Sequence, residues 1–253
     1  MLNIALNTFK EIIRNKFLYL IIIFAILLIL FSLALWQLSL WENNKIIIDF
    51  WIAMIEIFWI IWVLFVWSQL LFKEIEWKTI YLILSKPIKR YEFVLWKFLW
   101  FWLVLFLIVL IQSLVFLLIL FINNISIDYL IMYSLIFIFL KTFILIWIVL
   151  FLSTFMSNIL TIIISIMIYL WAHSFSLLID MAIKLENKIL EIIIKIVQLA
   201  FPPFEAMNIK DYIWSFIVIE NSYFLLNIIY SLVYLIIILF FTNIIFNKKT
   251  FEN

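Results

Sequence analysis

Four polar side chains interrupt the apolar runs of this chain: Glu56, Gln112, Lys141 and His173. A carboxylate, an amide, an ammonium and an imidazole in such surroundings can hold helices together by hydrogen bonds, or line a cavity through which cargo passes. Lys141 falls near the middle of its run, where an unpaired cation costs about 2.5 to 3.5 kcal/mol on the insertion scale, so it must face the bundle, a cavity or a partner chain. Counted from the outer ends of their runs, Glu56 and His173 lie at similar depth and Lys141 lies roughly 9 Å deeper. A candidate translocation cavity of Glu56, Lys141 and His173 is geometrically open. Separate helix-packing hydrogen bonds are the preferred reading, since nothing in the sequence pairs the three.

A second group is different in kind. Lys73 to Phe93 holds the densest cluster of charge in a chain that is only 13% charged. Because so apolar a chain has few places to meet a soluble partner, this interruption is where energy or information is expected to enter. Trp77-Lys78-Thr79 would mimic the end of a phosphate-binding loop if residue 77 were glycine, but such a loop needs another glycine five positions earlier, and Phe72 stands there. The chain therefore has no nucleotide site of its own. With one His, no Cys, no H-E-x-x-H and no G-x-S-x-G, the usual metal and nucleophile constellations are missing, and no cofactor is expected.

The elements that must position these residues are membrane spans. At 70% hydrophobic residues, with repeated apolar runs of twenty or so, the chain reads as an all-α polytopic membrane protein forming one domain over residues 1–253. A net charge of +2 is too small to imply nucleic acid, and no disulfide can form without Cys. Six transmembrane helices are expected at about 17–38, 50–72, 93–122, 129–152, 159–179 and 223–246. The first is too long for a signal-peptide core and lacks a small-residue cleavage site, so it is kept as a permanent span. Met1 to Lys16 places Leu2, Ala5, Leu6, Phe9, Ile12 and Ile13 on one face, as in an N-terminal interfacial helix.

Lys and Arg asymmetry orients the spans. Lys10, Arg14, Lys16, the cluster from Lys73 to Lys97, and Lys248 and Lys249 fall on one side, which is then the cytoplasm, with both termini inside. Residues 180–222 form a long external segment. Its first part aligns Asp180, Lys184, Asn187, Lys188, Glu191, Lys195 and Gln198 on one stripe, predicting an external amphipathic helix before the last span, lying at the outer interface or packed over the bundle. Phe201-Pro202-Pro203-Phe204 must stop it, because consecutive prolines cannot continue a helix.

The charged segment and its flanks resemble the permease subunit of ABC-2 type transporters, whose members carry a Glu-rich turn after the second span and a Ser-x-Pro step into the third. The matching residues are Lys73-Glu74-Ile75-Glu76-Trp77-Lys78-Thr79-Ile80 and Leu84-Ser85-Lys86-Pro87 through Lys97. The order of features agrees along most of the chain, including the turn Ser153 to Asn158 and a late external Phe-Pro-Pro-Phe-Glu segment. The resemblance implies a separate ABC ATPase subunit as partner, a homodimer or a dimer with a related permease, an inner-membrane location and, most often, export. It implies ATPase coupling through Lys73, Glu74, Glu76, Trp77, Thr79, Ser85, Lys86, Pro87, Arg90 and Glu92. A helix continued past the second span through Glu74, Glu76 and Thr79 would turn at Ser85-Lys86-Pro87, since the residue before proline avoids helical geometry. Cargo is not specified. A membrane-embedded enzyme or a non-ABC secondary transporter is the alternative, although the two halves show no convincing repeat.

One compositional fact stands apart: there is no glycine, and there are 13 tryptophans. About 18 glycines would be usual at this length. Family members usually have glycine where this chain has Trp77 and Trp96, and Trp96 and Trp100 sit at the spacing of a helix-packing G-x-x-x-G pair. Trp59 and Trp62 fall at mid-depth rather than in the interfacial belt. The expectation is a gene whose code reads UGA as glycine, written here with tryptophan.

Overall fold

The computed structural model describes residues 43–67, 90–214 and 219–248, together with positions 23, 24, 26, 27, 30 and 31. Among the described residues six α-helices follow one another: α1 (Asn43–Trp62), α2 (Arg90–Ile122), α3 (Tyr129–Ser153), α4 (Asn158–Lys184), α5 (Lys188–Gln198) and α6 (Asn221–Lys248). α1 runs on into a π-helical turn, Val63–Trp67, and a short 3-10 turn spans Lys210–Tyr212. No strand occurs among the described residues. Among the described residues five helices are long and apolar enough to cross a membrane. They correspond to the second through sixth expected spans. Most of the expected first span, and the interfacial helix before it, lie outside the described residues.

α3 is the central helix and touches α1, α2, α4 and α6. Its apolar residues run all the way round, as expected of a span enclosed by others, and Phe137, Ile144 and Leu145 are fully buried. Its hydroxyls turn back on their own helix. Ser134 donates to the Ile131 carbonyl at 2.7 Å, and Thr142 to those of Phe139 and Ile138 at 2.8 and 3.0 Å. With no water at this depth, such back-bonding satisfies a hydroxyl without a partner helix.

Stacked aromatic rings join the helices. Tyr133 of α3 and Phe224 of α6 lie 3.8 Å apart at 8°, and Trp51 of α1 stacks on Phe116 of α2 at 5.7 Å. Phe24 stacks on Phe58 of α1 at 4.0 Å, which brings part of the expected first span against α1.

Two helix ends are closed by left-handed residues that are not glycine: Asn124 after α2 (φ 53°) and Glu186 after α4 (φ 52°). At α4, the Asn187 N–H returns to the Ala182 carbonyl and the Glu186 N–H to that of Ile183, the pairing of a Schellman motif. Asn187 then caps α5, its side-chain oxygen accepting from the Leu190 N–H at 3.1 Å.

That turn corrects the expected external helix. Asp180 and Lys184 belong to α4, which extends past the expected boundary at 179, and only Lys188–Gln198 forms a separate helix. The Glu186–Asn187 turn reverses the chain, so α5 runs back alongside α4 instead of lying flat on the outer surface. Phe201 reaches Phe175 and Trp171, with ring centroids 5.2 and 6.2 Å apart. These positions lie roughly 14 and 20 Å from the end of α4 at 1.5 Å per residue. α5 is also turned inside out relative to a soluble amphipathic helix. Glu191 and Gln198 are half-buried on the protein side, while Ile189, Ile192, Ile193 and Ile196 are exposed. An apolar outer face on a helix at this level suits lipid. The proline pair ends it as expected, and residues 204–209 climb back with Phe204, Met207 and Ile209 buried.

Candidate functional site

The returning segment ends on a polar cluster. Lys141 of α3 donates from Nζ to Glu56 Oε1 of α1 at 2.7 Å. Tyr169 of α4 donates its hydroxyl to the same oxygen at 2.8 Å. His173, one turn further along α4, places Nε2 3.7 Å from that oxygen and 3.5 Å from Lys141 Nζ. Its Nδ1 lies 3.2 Å from the Tyr169 carbonyl, which can only accept, so Nδ1 carries a proton. Thus α1, α3 and α4 are tied together at one carboxylate oxygen.

The expected candidate cavity residues Glu56, Lys141 and His173 are therefore in contact, which corrects the preference for separate helix-packing bonds. The depth difference also disappears. α1 begins at Asn43, not near 50, because Ile47 and Ile48 are buried while the polar residues around them face outward or pair. Measured along each helix from its outer end, Glu56 lies roughly 20 Å in, Lys141 roughly 18 Å and His173 roughly 17 Å. Lys141 is not the deeper one.

Two members were not singled out from the sequence. Tyr169 precedes His173 by one helical turn, and that spacing was the available signal. Phe204 roofs the cluster from the external segment, its ring centroid 5.5 Å from that of Tyr169 and 5.8 Å from that of His173. Beside it, Ser176 donates to Glu205 at 2.9 Å. Glu205 and Lys210 both come within electrostatic range of Lys141. The segment is held from α6: Tyr223 donates to the Ala206 carbonyl at 2.7 Å, and Tyr230 and Tyr234 to those of Leu199 and Ala200 at 3.3 Å.

Gln112 stands apart from this cluster. Its Oε1 accepts the Trp59 indole N–H at 2.7 Å, joining α2 to α1. Trp51, Trp59 and Trp62 are all buried, and the indole nitrogen of Trp51 has no hydrogen-bond partner.

Of the expected coupling residues, Arg90 and Glu92 fall in the first turn of α2. Lys73, Glu74, Glu76, Trp77, Thr79, Ser85, Lys86 and Pro87 lie outside the described residues. No group of His and acidic side chains among the described residues could hold a metal ion. No family model matches the chain, and neither does any curated protein.

Proposed function

We propose that this chain is the membrane-spanning permease subunit of an ATP-driven ABC-2 type transporter, acting as an exporter with a separate ATPase subunit. It works as a dimer with itself or a related permease, in the inner membrane with both termini cytoplasmic. The observation that carries the reading is the charged segment from Lys73 to Glu92, with its Glu74, Glu76 and Ser85-Lys86-Pro87 pattern, placed between two of a series of long apolar helices. ATP binding and hydrolysis take place in the partner, and the segment receives the motion.

The test is co-expression with an ABC ATPase subunit from the same genome. The two should purify together, and the ATPase activity should depend on this chain. Replacing Glu74 and Glu76 together with Lys should uncouple hydrolysis from transport while insertion is unaffected. Failure of any ATPase to co-purify, or unchanged coupling in that variant, would overturn the reading.

One observation favours a second reading, a secondary transporter driven by an ion gradient. Ionisable residues clustered inside a bundle mark ion and substrate routes, and Glu56, Lys141 and His173 form such a cluster. Transport that persists without ATP and collapses with the ion gradient would select it.

A further inference from the structure

We propose that Glu56, Tyr169 and His173 form an ammonium-binding site occupied in this conformation by the chain's own Lys141, and that the cargo carries a protonated amine that takes its place. The assignment of this ligand as cargo rests on the permease reading; the binding site itself does not.

Three observations carry it. First, the Lys141 ammonium donates to Glu56 Oε1 at 2.7 Å with His173 Nε2 3.5 Å away, while the Tyr169 hydroxyl donates to the same carboxylate oxygen and holds it in place. Second, the open side of the cluster is the acceptor side. The Lys141 side chain is 3% exposed, whereas those of Glu56 and His173 keep 11% and 21%. Among the described residues no partner reaches Glu56 Oε2. A ligand arriving through that opening meets a carboxylate and an imidazole, so it must donate; an anion would need the ammonium, which is sealed. Third, the rings of Tyr169, His173 and Phe204 cluster beside the site with centroids 4.4 to 5.8 Å apart, and the faces of Tyr and Phe rings attract cations.

Charge accounting favours exchange over addition. Glu56 and Lys141 balance each other, and Glu205 and Lys210, the next nearest charges, do the same. Adding a cation would leave a net charge in a low-dielectric site, so the incoming monocation is matched by loss of the Lys141 proton to water, which leaves the balance unchanged. The flexible four-carbon stem of lysine lets the neutral amine turn aside.

His173 is the only histidine, so it reports on the site by itself. The full chain, labelled with 15N-histidine in lipid nanodiscs, is titrated with propylammonium chloride against sodium chloride at equal ionic strength. A saturable shift of the Nε2 resonance with propylammonium alone is expected, and Glu56→Gln should abolish it. Lys141→Ala should lower the thermal midpoint, and propylammonium, but not sodium, should restore it. No saturable shift in the wild-type chain overturns the proposal, even if Lys141→Ala fails to fold. A saturable shift in a chain that engages no ATPase supports the ammonium site while overturning the ABC reading.

Discussion

Trp59 donates its indole N–H to Gln112 Oε1 at 2.7 Å, a hydrogen bond between side chains that links α1 to α2. Both residues are buried, Trp59 completely. Removing the acceptor leaves the donor stranded where no water can replace it, which costs about 1 to 3 kcal/mol. In the chain made with tryptophan at position 59, Gln112→Leu should lose that much unfolding free energy in mixed micelles, and adding Trp59→Phe should recover most of it.

The pair also bears on the missing glycines. Peptides from the natural protein that cover positions 51, 59 and 62 should have the mass of the glycine form, as should those covering 77 and 96. Tryptophan at 77 and 96 in a peptide mass spectrum would end the recoding idea. With glycine at 59, Gln112→Leu would carry no stranded-indole penalty, so the two measurements check each other.

Lys141→Met deletes the ammonium and leaves Glu56 as a buried carboxylate with only Tyr169 and His173 beside it. Breaking one side of a buried pair costs about 3 to 5 kcal/mol, whereas replacing both charges by neutral groups is often nearly neutral. The single variant should therefore unfold at markedly lower denaturant than the wild-type chain. Glu56→Gln combined with Lys141→Met should return close to the wild-type midpoint. Equal stability of the single and double variants would show that the pair contributes nothing.

The absence of cysteine makes the return of α5 directly measurable. A membrane-impermeant maleimide added from the side that carries the Glu186–Asn187 turn should label Lys188→Cys quickly, because that residue begins α5 beside the turn. It should label Ala200→Cys slowly or not at all, because residue 200 sits beside Tyr234, well along α6. Equal labelling of the two positions would place α5 on the outer surface, as the sequence pattern alone suggests.

The spans were legible because long apolar runs admit little else. α3 ends one residue from its expected boundary, and α2 and α6 each differ from theirs by a few. The errors occurred where polar residues sit on a helix that continues. Asn43, Asn44 and Lys45 read as loop, yet the helix runs through them because Ile47 and Ile48 need burial. Asp180 and Lys184 read as the start of an interfacial helix, yet nothing there breaks α4 before Glu186 turns left-handed. The Glu56–Lys141 contact spans 85 positions, and periodicity carries no information about such pairings. The aim of Phe204 was hidden for a different reason: a proline pair announces where a helix stops, not where the chain goes next.

The anchors of the returning segment set an order on how this chain can be made. The carbonyls of Leu199 and Ala200 are held by Tyr230 and Tyr234, residues that leave the ribosome only after α5 and its prolines have been synthesised. At eleven residues, α5 is too short to be inserted as a span in its own right. It can pack against α4 as soon as it is made, but its end is pinned only once α6 is in place. A truncation before α6 would thus leave every earlier span in the bilayer with the segment that carries Phe204 lacking its anchors from Tyr223, Tyr230 and Tyr234.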